Sequence, residues 1–182
     1  AVMRTGLQAR ERDERAELFR EVHLWLFNRY DAQAGSAEST SDIGEAHDRA
    51  LLAAAEHLAA SDATRLPSWL LQQRWKKYYD AGRWRALSIA FDKASCAAET
   101  SPASDPADAV WFDHHRAHVC QSMGRYEEAL ELYSRAQTNH EAAFGDRHPE
   151  YATILHALGD VLRVTGREAE AQALYADALK FY

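Results

Sequence analysis

The sequence predicts an all-α chain built as a stack of antiparallel helix pairs. Three observations predict it. First, three Gly-Arg pairs recur at an identical spacing of 42 residues: Gly82-Arg83, Gly124-Arg125 and Gly166-Arg167. Second, other positions keep that period. Phe91, Tyr133 and Tyr175 fall nine residues after each Gly, and Ala94, Ala136 and Ala178 fall twelve after. Third, the 182 residues are rich in Ala, Leu, Glu, Gln and Arg, with only eight Gly and four Pro. Such a composition favours helix, and strands lack the β-branched runs they need.

About eight helices follow from the apolar spacing and the turn residues. The first spans about 7–32, with Leu18, Val22, Trp25, Leu26 and Tyr30 at helical spacing. A polar linker, 31–42, comes next. Asp42 and Glu45 have the spacing of a capping box for a second helix over about 43–60. Ser61-Asp62 opens a third that ends at Asp80, and a fourth covers about 83–99. A second linker, 100–106, ends in Asp105-Pro106, an N-cap followed by the residue that tolerates the first helical position. The last four helices cover about 106–123, 125–144, 149–165 and 167–181.

Each repeated position has a physical job. The Gly lacks a Cβ and can take positive φ, which ends one helix and starts the return. The small Ala lets paired helices approach. The aromatic fills the space between one pair and the next. One pair cannot bury its apolar face alone, so the pairs must stack.

The segments GRYEEALELYSRA (124–136) and GREAEAQALYADA (166–178) resemble the tetratricopeptide repeat in their Gly, Ala, Tyr and Ala offsets. Ala117 and Gly159, seven before their Gly, fill that family's small-residue position in the first helix. The 42-residue period and the Gly-x-x-His-Pro of 145–149 are similar to the kinesin-light-chain-like subgroup. The resemblance is strong over 105–182 and moderate over 66–104, where Trp75 replaces the small residue and Leu87 the Ala. It divides the chain into an atypical helical pair over 1–60 and three repeats over about 66–104, 105–146 and 147–182, within 61–182. It implies a right-handed superhelix whose first helices line a concave groove.

Carried over by offset from each Gly, that groove takes Trp69, Gln72, Lys76 and Tyr79 from the first repeat, Trp111, His114, His118 and Gln121 from the second, and Thr153, His156, Asp160 and Arg163 from the third. One check needs no family. In the third repeat Ile154, Leu155, Leu158, Val161 and Leu162 form an apolar stripe, and Thr153, His156, Asp160 and Arg163 fall opposite it. Aromatic and directional polar groups on one face suit a protein or peptide partner. The plainer reading is a solvated helix face with Trp residues packed on neighbouring helices. Only Lys76 and Arg163 are basic there, so a chaperone-tail clamp is not expected. The subgroup carries Asn where His156 stands, so its cargo preference does not transfer.

The formal net charge of −7 gives no basic field for nucleic acid, and no apolar run is long enough to span a membrane. Two cysteines, Cys96 and Cys120, build no disulfide framework, which with the absence of an apolar leader points to the cytoplasm. No phosphate loop and no nucleophile–base pattern occurs, so neither an enzyme nor a cofactor is expected. The expected function is a non-catalytic scaffold, a piece of a larger regulatory or signalling protein. Two alternatives stay open: a ligand- or metal-responsive sensor using His114, His118 and His156, and self-assembly as a homodimer through the terminal repeat. His148 is read as a structural loop residue ahead of Pro149.

Overall fold

The computed structural model describes residues 2–37, 39–100, 106–145 and 148–181. Among them it is all helical, in eight helices. α1 is Val2–Gly35 and α2 is Glu45–Asp62. α3 runs as Leu66–Trp69, a π-helical turn at Leu70–Arg74, and Trp75–Asp80. α4 is Trp84–Thr100, α5 Pro106–Ser122, α6 Tyr126–Phe144, α7 Pro149–Val164 and α8 Glu168–Ala178. Short 3₁₀ turns at Thr40–Asp42, Ala63–Arg65 and Leu179–Phe181 complete the chain. The expected N-cap Asp105 and two residues of the Gly-x-x-His-Pro turn lie outside the described residues.

The three Gly-Arg pairs make the same turn three times. Gly82, Gly124 and Gly166 have φ of 69°, 75° and 80°. At each, the Gly amide bonds the carbonyl three back and the Arg amide the carbonyl five back. The second bond is 2.9 Å to Tyr78, 2.9 Å to Cys120 and 2.8 Å to Leu162. This paired 5→2 and 6→1 closure satisfies carbonyls that the helix end would strand. The Arg carbonyl then accepts the first bond of the next helix. Its side chain holds the turn down: Arg83 grips Asp48 of α2, Arg125 reaches Ser88 of α4 at 2.9 Å, and Arg167 pairs with Glu170. A Cβ on Gly124 would touch nothing within 4 Å. The glycine is therefore required by backbone angle and not by crowding. Gly124→Val is expected to cost about 1–3 kcal/mol, read as a lowered urea midpoint with unchanged slope.

The small-residue and aromatic positions do pack. A Cβ on Gly159 would lie 2.7 Å from the Tyr175 ring. Phe91, Tyr133, Ala94, Ala117 and Ala136 are fully buried. One core lies among α1–α4 and takes Phe112 and Val119 from α5; the other side of α5 gives Ala117 and Cys120 to a second core with α6, α7 and α8. α5 is thus the helix that both cores share.

The N-terminal region departs from the sequence reading in three places. Asp42 does not box with Glu45; it closes back on Ser39, whose amide and hydroxyl lie at 3.0 and 2.8 Å, because the same spacing exists one turn earlier. α2 continues through Ser61-Asp62, and the third helix opens instead at Leu66, with Pro67 in its first turn. On α1, Leu18, Val22 and Trp25 face solvent, with the Arg29 guanidinium 5.8 Å from the Trp25 ring centre. The inward face of α1 is Phe27, Tyr30 and Ala34, on the opposite side of the helix. Buried Tyr78 fastens α3 to this pair, donating to the carbonyls of Ala34 at 3.2 Å and His47 at 2.8 Å.

Candidate functional site

Three successive first helices, α3, α5 and α7, bring Tyr79, His118, Gln121, Thr153, His156 and Asp160 around one open cavity of about 430 Å³. Ser122, Ala157 and Val164 complete its wall, with Tyr126 from α6. Most of its polar side chains are oriented by a neighbour. Tyr79 shares a 2.8 Å hydrogen bond with Ser122, and its ring meets His118 edge-on at 6.0 Å. Tyr133 donates to Gln121 at 3.1 Å. Tyr175 donates to Asp160 at 2.7 Å, and Asp160 lies 3.6 Å from His156 and 3.8 Å from Arg163. Aromatics on the second helices thus fix polar groups on the first.

The twelve sequence-derived positions do not share one environment. Thr153, His156 and Arg163 are exposed; Tyr79, His118, Gln121 and Asp160 are half-buried along the cavity. Gln72 and Lys76 are exposed on α3, where Lys76 pairs with Asp80 at 3.1 Å. Trp111 is half-buried against His114 and His115. His114 itself is 2% exposed, shut between Trp111, His118 and Tyr133.

Trp69 is 7% exposed and also belongs to the core. Its indole N–H donates to Asp31 at 2.9 Å, and its ring meets Phe27 edge-on. The π turn explains this. It inserts one residue into α3, which rotates everything before it by about 100°. Counted back from Gly82 with that extra residue, Trp69 corresponds to Phe112 and Ile154, which are buried core positions in their own repeats. Trp75, where a small residue was expected, packs at the edge of the first core and stacks on His115 with ring centres 3.8 Å apart.

Two features escaped the sequence. His115 carries no groove offset, yet it is sandwiched by Trp75 and Trp111. Tyr126 comes from a second helix, which an offset rule confined to first helices passes over. Electrostatically the region is quiet. Burial, with the neighbouring histidines, pushes His114 and His115 down to about 3, and burial lowers His118 against the pull of Asp160. Burial also pushes the Cys120 thiol up to about 11, which keeps it protonated. Cys96 is exposed.

A metal form of the sensor alternative requires ligand atoms of His114, His118 and His156 to meet; among the described residues, three such atoms come within 4.8 Å of one another at His140, His148 and Glu150 instead. No helix among the described residues is long and apolar enough to cross a membrane.

Residues 108–182 match the family model of the tetratricopeptide repeat. That segment holds α7, α8, α6 and most of α5, the helices that give the cavity most of its wall. No curated protein matches the chain.

Proposed function

We propose that the chain is a non-catalytic scaffold that holds a protein or peptide segment along the face shared by α3, α5 and α7. The observation that carries this is the cavity itself: about 430 Å³, open, and lined by Tyr79, His118, Gln121, Thr153, His156 and Asp160 from three successive first helices. The wall mixes ring faces with oriented donors and acceptors, which grips an extended backbone and its side chains. Arg163, with Lys76 and Gln72 on the neighbouring surface, adds charge and hydrogen bonds at the edge. Trp69 and His114 act from beneath, by holding the wall in place. The match to the tetratricopeptide repeat supports the reading, because such repeats generally mediate contacts between proteins. Burial keeps the Cys120 thiol protonated, so it supplies no thiolate nucleophile, which favours binding over thiol catalysis.

His156→Ala combined with Arg163→Glu alters two exposed side chains and should leave the melting temperature within about 1 °C of wild type. Affinity capture with this variant is expected to lose the partners that wild type retains, with at least about a tenfold loss on rebinding the purified partner. A control altered on α6, Glu127→Ala with Glu131→Ala, should keep them. Equal retention by both variants would move the binding surface elsewhere. A mass by light scattering that rises with concentration would favour self-assembly.

A further inference from the structure

His140 ends the buried face of α6, His148 precedes α7, and Glu150 lies in the first turn of α7. Their ligand atoms all lie within 4.8 Å of one another. His140 is the unusual member. It is fully buried, and neither ring nitrogen meets a partner in hydrogen-bonding geometry; the Gly145 backbone and the carboxylates of Glu150 and Glu141 lie near enough to draw on it. A buried polar ring with two unsatisfied nitrogens costs free energy and calls for a partner. Its surroundings are rings: Phe144 at 5.1 Å, His148 at 5.5 Å and Tyr151 at 5.5 Å between centres.

We propose that His140, His148 and Glu150 form a site for a zinc-class divalent cation that clamps the α6–α7 connection. Two imidazoles and one carboxylate are a donor set such ions favour, and they leave a fourth position for water or a further ligand. Bonds of about 2.0–2.2 Å around a tetrahedral ion place donors about 3.3–3.6 Å apart. Closing from the present spacing takes about 1 Å of movement. His148 and Glu150 can supply it, since both are exposed. His148 gives up little in turning. Its Nδ1 accepts only a 3.4 Å bond from the Glu150 amide and lies 3.7 Å from the Glu150 carboxylate. His140 stays fixed by burial, as the anchored ligand. Phe144 and Tyr151 supply an apolar wall that would shield the ion from water and strengthen its bonds. The clamp would join the second helix of one repeat to the first helix of the next. It sets the angle between them, and through α7 the position of Thr153, His156 and Asp160. This site is separate from the cavity, and its failure leaves the scaffold reading untouched.

The test uses the tag-free full chain, titrated with Co²⁺ and then Zn²⁺ by visible absorption and calorimetry. The expected result is one Co²⁺ per chain with a d–d band, displaced by Zn²⁺, and a rise in melting temperature on metal addition. His148→Ala and Glu150→Gln, both exposed and outside the core, are each expected to weaken binding at least about tenfold and to abolish that rise. His156→Ala should bind as wild type. No band and no heat at stoichiometric metal would overturn the proposal. So would binding unchanged in both variants, or a loss with His156→Ala equal to that with His148→Ala, either of which puts the metal elsewhere.

Discussion

Lowering the pH from 7.5 to 4.5 is expected to remove about 5 kcal/mol of stability through two adjacent histidines alone. His114 and His115 are held near 3 in the folded chain, chiefly by burial. Unfolded, each titrates near 6.5. Below that value the unfolded chain takes up protons that the native chain refuses. Stability is therefore intact above pH 6.5 and drains as the pH falls, by about 1.4 kcal/mol per unit for each group until the folded values are reached. His118, His140 and His57 are lowered too and push in the same direction. Urea melts at half-unit pH steps measure the slope. Replacing His114 and His115 together with Gln should flatten it over pH 5–6.5. An unchanged slope would mean that other groups drive the loss.

Tyr133→Ala is expected to cost about 3–5 kcal/mol, the largest effect of any single substitution considered. The ring has no exposure and fills the junction of α5 with α6. His114 meets it at 5.4 Å and His118 at 5.7 Å, both edge-on. The hydroxyl also orients Gln121 in the cavity. Truncation thus opens a void next to two buried imidazoles and frees a groove side chain. Tyr133→Phe keeps the ring and should cost only about 1 kcal/mol. Tyr175 holds the equivalent position one repeat on, but it is half-buried, so Tyr175→Ala should cost less than Tyr133→Ala. Urea denaturation of the three variants orders these effects. Equal losses at Tyr133 and Tyr175 would contradict the burial described here.

Much of this architecture could be read directly from the residues. Glycines at a fixed period forecast left-handed turns, and each of the three has the required φ. The small-residue offset forecast close approach within a pair, and the Gly159–Tyr175 contact realises it; the aromatic expected between pairs instead fills its own pair at Tyr133 and Tyr175, and reaches the next pair only at Phe91, against Phe112. On α7, where the helix is regular, Thr153, His156 and Arg163 are exposed as the polar stripe implied. What escaped was whatever breaks periodicity or depends on neighbours. A π turn leaves no pattern in composition, so Trp69 was placed one residue out of phase. His114 and His156 share an offset, yet one is closed in and the other exposed, because Trp111 and His118 of its own helix and Tyr133 of α6 surround His114. The His140, His148 and Glu150 group is assembled across a helix connection. Its members lie eight and two residues apart along the chain, a spacing that no helical rule selects.

The extra residue in α3 has a consequence for anything that lies along the three helices. Between α5 and α7, both regular, equal offsets from the Gly fall on equivalent turns of the helix. Across α3 that equivalence slips by more than a quarter of a turn for every residue ahead of Leu70. Lys76 and Tyr79 follow the turn and keep the phase of His118 and Gln121, whereas Trp69 precedes it and swings inward. The three helices therefore share one phase at their C-terminal ends and lose it toward the N-terminus of α3.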